Sequence, residues 1–384
     1  MTFNAVAAAT SLALEVARRA NEIEAGRRLP ADLARKMAEA GLFRMLLPAE
    51  LDGHETLPTD VAQAIEIVAQ NDASAGWCLM IGATTASMAN RLDAETAREV
   101  FGHKDVISAG VFAPMGKAVD AGEHWRVTGR WQWGSGSQNA NWIAGGAMLL
   151  GVNGPLLDAD GQPLHRMMIF RADEVELIDT WRTSGLCGTG SLDFAVKDVL
   201  VPKERSVALH SDRTRLDTPL ARFPVFGMLA LGVTAVALGN ARGALILAGQ
   251  MALEKKQQGS QRALAERNVV QNDYARAAAS LSAARAFYYE CIGAIWQQLQ
   301  SGQDATLDQR NRLRLACAHA THVAADVCKV AYDMLGGGAV YLSNDLQRRF
   351  RDAHVITHHA MVAPSIFELT GRVLLQQPTR DALI

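Results

Sequence analysis

Residues 332–363 read YDMLGGGAVYLSNDLQRRFRDAHVITHHAMVA, and this stretch, from Tyr332 to Ala363, decides the fold. A Gly-rich turn (Leu335 to Ala339) is followed by a basic amphipathic segment, the pair Arg351–Asp352, and two adjacent histidines, His358 and His359. Glycines at such a point serve as a helix C-cap, and their exposed N–H groups also suit a pyrophosphate. An isolated helical histidine is ordinarily a surface or satisfied core residue. His354 shares a face with His358 at i+4, but with no carboxylate or third histidine nearby, no metal site is expected.

Working outward, the chain divides into three blocks. Residues 1–103 carry helical apolar spacing at Leu33, Met37, Ala40 and Leu42, then a helix near 61–70, and another opened by Asp72 as N-cap. Residues 104–208 switch to short β-branched and aromatic runs (WRVTGRWQW, NWIAGGAMLL, RMMIFRADEVELI, LDFAVKDVLV) separated by Gly, Asp and Pro, the pattern of an antiparallel sheet. Residues 209–384 return to long helical periods near 222–257, 262–300, 307–335 and 352–376, which predict a four-helix bundle.

Composition narrows the class. With 49% apolar and 20% charged residues over 384 positions, the chain is globular and large enough for more than one core. A net charge of −2 gives no nucleic-acid footprint. The run from Phe223 to Ala241 has no charge and approaches bilayer length, yet Pro224, Gly227, Gly232 and Gly239 interrupt it. It is expected to be a buried bundle helix, not a membrane span. Five scattered cysteines without zinc spacing fit reduced thiols, and the N-terminus lacks a signal-peptide pattern, so a cytoplasmic protein is expected.

Local phrases in each block, in the same order, resemble the acyl-CoA dehydrogenase superfamily: AEAGLFRMLLPAELDG, GRWQWGSGSQNANW, DTWRTSGLCGTGSLDFAVKDVLVP, LAERNVVQNDYARA and the segment quoted first. The resemblance implies an N-terminal helical domain, a middle antiparallel β domain and a C-terminal four-helix bundle. It also implies that Trp133, Ser135 and Ser137 present the flavin ring, with the Ser135 hydroxyl near N5. The residues alone also suit an ordinary strand-ending turn there.

The loop Gly185–Ser191 lacks a P-loop lysine and runs into a strand. By resemblance, Gly188, Thr189 and Ser191 line the flavin and substrate side of the pocket, although a plain β-connection reads the same way. Gly336 and Gly337 are expected at the flavin tail of a neighbouring subunit, with Arg262 and Gln271 as further flavin contacts.

The dehydrogenases of this superfamily need a glutamate to remove the substrate α-proton. Both of its usual positions lack one. No acid follows Asp352 until Glu368, and none lies between Phe223 and Met251. DASAGW (Asp72–Trp77), GLCGTGS and the histidine pair resemble instead the flavin-dependent monooxygenases of this fold. The implied enzyme is a homotetrameric oxygenase component using reduced FMN or FAD from a separate flavin reductase. It would hydroxylate an aromatic or polycyclic substrate with O2 through a C4a-hydroperoxyflavin. His359, with His358 as alternative, would accept a phenol proton or hold the distal oxygen. Trp77, Phe112 and Ser191 are expected to meet the substrate. The rivals are an acyl-CoA dehydrogenase with FAD and a relocated base, and a flavin-free binding protein.

Overall fold

The computed structural model describes residues 3–209, 211–256, 259, 261–379 and 384. Its first helices are α1 (Ala5–Gly26), α2 (Ala31–Glu39), α3 (Pro58–Asn71), α4 (Ala73–Ala86) and α5 (Ala94–Phe101). Asp72 opens α4 as the sequence predicts, its Oδ1 accepting the Ala75 N–H at 2.8 Å. Nearly every side of α4 is apolar and buried, so the helix runs through the core rather than over it.

The sheet contains β1 (Ser108–Ala121), β2 (His124–Gly134), β3 (Trp142–Gly151), β4 (Gly154–Pro155), β5 (His165–Arg171), β6 (Glu176–Ile178), β7 (Leu192–Pro202) and β8 (Ser206–Val207). Its order is β6-β7-β2-β1-β3-β5-β8, with β4 paired to β3. Every pair is antiparallel except β1 with β3. That exception has a simple cause. β1 and β2 form a hairpin, and the chain then crosses to the far side of β1, so β3 starts from the same end as β1. Trp131 anchors the sheet core, stacked on Phe194 at 4.9 Å and donating its indole N–H to Gly146 O at 2.7 Å.

The later helices are α6 (Val225–Glu254), α7 (Asn268–Gln300), α8 (Leu307–Met334), α9 (Asp345–Ile356) and α10 (Ser365–Leu374). The most apolar window of α6 is 83% buried against α3, α8 and α9, as the glycine-interrupted run predicts. One hydrophobic core joins residues of α1, such as Ala5, to residues of the bundle as far as Ile356 of α9 and Val362 in the turn after it.

The fourth bundle helix, expected as one element over 352–376, is two. Pro364 lacks an N–H and disfavours helical geometry at the residue before it, so the chain breaks over 357–364. Turn hydrogen bonds fill the break: His359 N–H to Ile356 O at 3.1 Å, and Val362 N–H to His359 O at 2.9 Å. The histidine pair therefore sits in a turn and not on a helix face.

Candidate active site

Three segments far apart in sequence meet around Trp77 on α4: the turn after β2, the loop before β7, and the break between α9 and α10. Trp77 is buried, and its indole N–H donates to Ser135 Oγ at 3.0 Å. Ser135 Oγ lies 2.6 Å from Ser191 Oγ, which lies 2.6 Å from Thr189 Oγ1. Thr189 Oγ1 in turn donates to Leu186 O at 2.8 Å.

Each hydroxyl owns one proton, so the last bond fixes the direction of all the others. Thr189 gives its proton to a carbonyl, which can only accept. Ser191 must therefore donate to Thr189, and Ser135 to Ser191. The Ser135 N–H is likewise engaged, with Trp133 O at 2.8 Å. What Ser135 Oγ can still offer a ligand is an acceptor lone pair.

His359 and Trp77 meet edge to face, with ring centroids 5.3 Å apart and planes at 76°. Burial lowers the imidazole from its usual 6.5 to about 4, with the Arg314 cation adding to the effect. The ring is neutral at pH 7. Its Nδ1 accepts from the Met361 N–H at 3.3 Å, which puts the ring proton on Nε2 as a donor. His358, one residue earlier, is exposed.

The Gly185–Ser191 loop is built into the protein. Leu186 adopts φ +51°, and its N–H donates to Asp352 Oδ1 at 2.6 Å. A Cβ on Gly185 would lie 2.6 Å from the Arg351 carbonyl, and one on Gly188 would lie 2.2 Å from Ile23 Cγ2. The close backbone approaches at these two glycines are thus made by α9 and α1. Asp352 itself, expected only as a motif residue, is buried, and that burial raises its carboxyl to about 7, helped by Asp72.

The residues present fit a flavin. Trp133 holds φ +68°, a left-handed conformation costly for an aromatic residue, with its side chain 62% exposed beside the Ser135 turn. On the same turn, Ser137 Oγ and Gln138 Oε1 are buried without a hydrogen-bond partner, polar atoms with capacity for a heteroaromatic edge.

Other expected site residues lie elsewhere. Phe112 sits on β1, edge to face with Phe226 of α6 at 5.5 Å and with His165 at 5.7 Å. Arg262, Gln271, Gly336 and Gly337 are exposed at the end of the bundle where Lys255 Nζ reaches Leu335 O at 2.5 Å. They form a group apart from His359 within this chain.

Arg314 belongs to none of the motifs that mark the site in the sequence. It is 2% exposed on α8, donating to Phe226 O at 3.2 Å and approaching Met361 Sδ at 3.4 Å. The available signal was its place on the stripe Arg314, Cys317, Thr321, Ala324, Cys328, where a cation has no solvent face.

Comparison with known proteins accords with this geometry. Acyl-CoA dehydrogenase, N-terminal domain, matches residues 6–98, and Acyl-CoA dehydrogenase, C-terminal domain, matches residues 231–364. Indole-3-acetate monooxygenase from Pseudomonas putida is 32% identical over 94% of this chain and 91% of its own. The oxygenase component of FADH2-dependent resorcinol hydroxylase from a Rhizobium species is 26% identical over 88% of this chain and 86% of its own. The crystal structure of the HsaA monooxygenase from Mycobacterium tuberculosis superposes with a TM-score of 0.89 at 26% identity, covering 99% of both chains. These relatives are oxygenases and not dehydrogenases, in keeping with the two positions empty of glutamate. Matched by the superfamily along both helical blocks and by oxygenases along almost its whole length, the chain belongs to the acyl-CoA dehydrogenase superfamily and, within it, to the flavin-dependent monooxygenases.

Proposed function

We propose that this chain is the oxygenase component of a two-component monooxygenase that hydroxylates an aromatic ring, served by a separate flavin reductase. The observation that carries the reading is His359: a neutral imidazole against Trp77, in the segment where a dehydrogenase would need a carboxylate. Reduced FMN or FAD, when bound, supplies the electrons with which O2 is activated. Every other part of the work falls to the protein.

Ser135 Oγ, left with an acceptor lone pair, suits the N5–H of a reduced flavin and not the bare N5 of an oxidised one. Trp133 would stack on the ring system, and Ser137 would satisfy its buried hydroxyl there. His359 Nε2–H would hold an oxygen atom in place, a donor role, whereas the fixed tautomer argues against proton acceptance at that nitrogen. Trp77 and the surrounding apolar core exclude water, whose entry would release peroxide in place of product.

Two further features of the reading concern the assembly and its location. A homotetramer is supported by Val340, Tyr341 and Leu342, large apolar side chains left exposed beside Gly336 and Gly337. A cytoplasmic location is supported by five free cysteines.

The test couples the protein to a generic NADH:flavin reductase with FMN or FAD, O2 and a panel containing indole, indole-3-acetate and resorcinol. A product heavier by one oxygen atom is expected for at least one ring. Quantitative peroxide with no oxygenated product from any compound would sink the reading.

A further inference from the structure

Arg314 is a buried cation with no carboxylate beside it among the described residues. Among the described residues its hydrogen-bond partners are the Phe226 carbonyl and the Met361 thioether sulfur, a weak acceptor, while its Nε is buried without a partner. The titratable group nearest to it in effect is the Cys317 thiol, which burial pushes up to about 12 and so keeps neutral, leaving the cation without a counter-charge there. Burying an ion this way is costly unless an opposite charge meets it. Of the other buried arginines, Arg348 pairs with Asp345 at 2.8 Å and with Glu24 at 3.4 Å, while Arg44, also without an ion-paired carboxylate among the described residues, donates to the backbone carbonyls of Asp52, Phe101, His103 and Leu51.

The position is as telling as the isolation. Met361 is two residues from His359, and Arg314 acts electrostatically on that imidazole. The guanidinium also lies 5.9 Å from the Phe226 ring, which meets Phe112 edge to face. The cation thus touches both the turn that carries the imidazole, through Met361, and an aromatic pair.

We propose that Arg314 binds the carboxylate of an aromatic acid substrate, so that its ring lies along Phe226 and Phe112 within reach of His359. This rests on the oxygenase reading above and adds the substrate class to it: arylalkanoic acids in preference to their uncharged analogues. A guanidinium offers a carboxylate two parallel N–H donors, which fixes orientation as well as charge.

The experiment uses full-length protein loaded anaerobically with reduced FMN, titrated calorimetrically with indole-3-acetate and with indole-3-acetamide. Wild type is expected to bind the acid about ten- to a hundredfold more tightly than the amide. Arg314→Met should bring the ratio near one, and Arg314→Lys should restore part of it. Thermal melting identifies variants that are folded, and methionine in place of an unpaired buried charge is a tolerated exchange.

Equal binding of acid and amide by wild type, failure of the acid to bind, or preference retained in Arg314→Met would overturn the proposal. So would a loss of FMN affinity in Arg314→Met, since Arg314 would then serve the cofactor phosphate. Oxygenation of indole without any preference for the acid would leave the oxygenase reading standing. Absence of oxygenation for every ring would remove that reading itself.

Discussion

The indole N–H of Trp77 points at Ser135 Oγ across 3.0 Å, and this bond starts a hydroxyl chain of fixed polarity that ends on the Leu186 carbonyl. Helix α4 and the turn after β2 are joined by it, and the turn is left with an acceptor to offer. Under the proposed reading, that acceptor suits a cofactor state carrying N5–H and not one lacking that proton.

Ser191→Ala removes the group that receives the Ser135 proton. The freed hydroxyl could then donate, and the preference for reduced over oxidised flavin should fall by about tenfold, the equivalent of one hydrogen bond. Anaerobic and aerobic titrations with FMN, followed by fluorescence, give the two dissociation constants. An unchanged ratio would contradict the polarity argued here.

The two histidines should separate cleanly. His359→Ala is expected to lower product formation about a hundredfold while peroxide release rises. His358→Ala, an exposed change, should stay within about twofold of wild type. Equal losses in both variants, measured as product per NADH consumed, would show that the turn does not discriminate between them.

Stability against pH should reveal two opposed groups. His359 is neutral in the fold down to about 4, but is protonated in the unfolded chain below 6.5, so its contribution falls as pH drops from 6.5 toward 4. Asp352 keeps its proton in the fold up to about 7 but loses it near 3.8 when unfolded, so its contribution falls as pH rises through the same range. Glu66 and Asp72, also raised by burial, act in the same sense as Asp352. Relative to wild type, Asp352→Asn, whose side-chain oxygen can still accept the Leu186 N–H, should turn the slope between pH 4.5 and 6.5 toward rising. His359→Gln should turn it toward falling. Urea denaturation of all three proteins at one-unit intervals would show the two changes, and changes of the same sign would refute the assignment.

Trp133 pits backbone cost against use. Trp133→Gly relaxes the left-handed residue and should keep stability within about 1 kcal/mol of wild type. Affinity for reduced FMN should nonetheless drop about tenfold through loss of an aromatic platform. A variant that binds FMN like wild type would mean the exposed indole serves another surface.

Ser135, Thr189 and Ser191 were singled out by resemblance, since the residues alone read equally as ordinary turns, and the structure brings their hydroxyls together. The direction of their hydroxyl chain was not legible, since it follows from one carbonyl contact, Thr189 to Leu186. His359 could not be separated from His358 without the helix break at Pro364, which a continuous apolar period concealed. Arg314 escaped because an arginine on a helix is ordinarily solvated, and only packing shows that this one is sealed in. The parallel β1–β3 pair escaped for a topological reason: strand runs look the same whichever neighbour they join.

Gly185 has a consequence for engineering. With no room for even a methyl group against the Arg351 carbonyl, the loop and α9 are moulded to each other. Grafting a loop with any larger residue at this position would displace the helix that leads to the imidazole, so such a transplant must carry both pieces together.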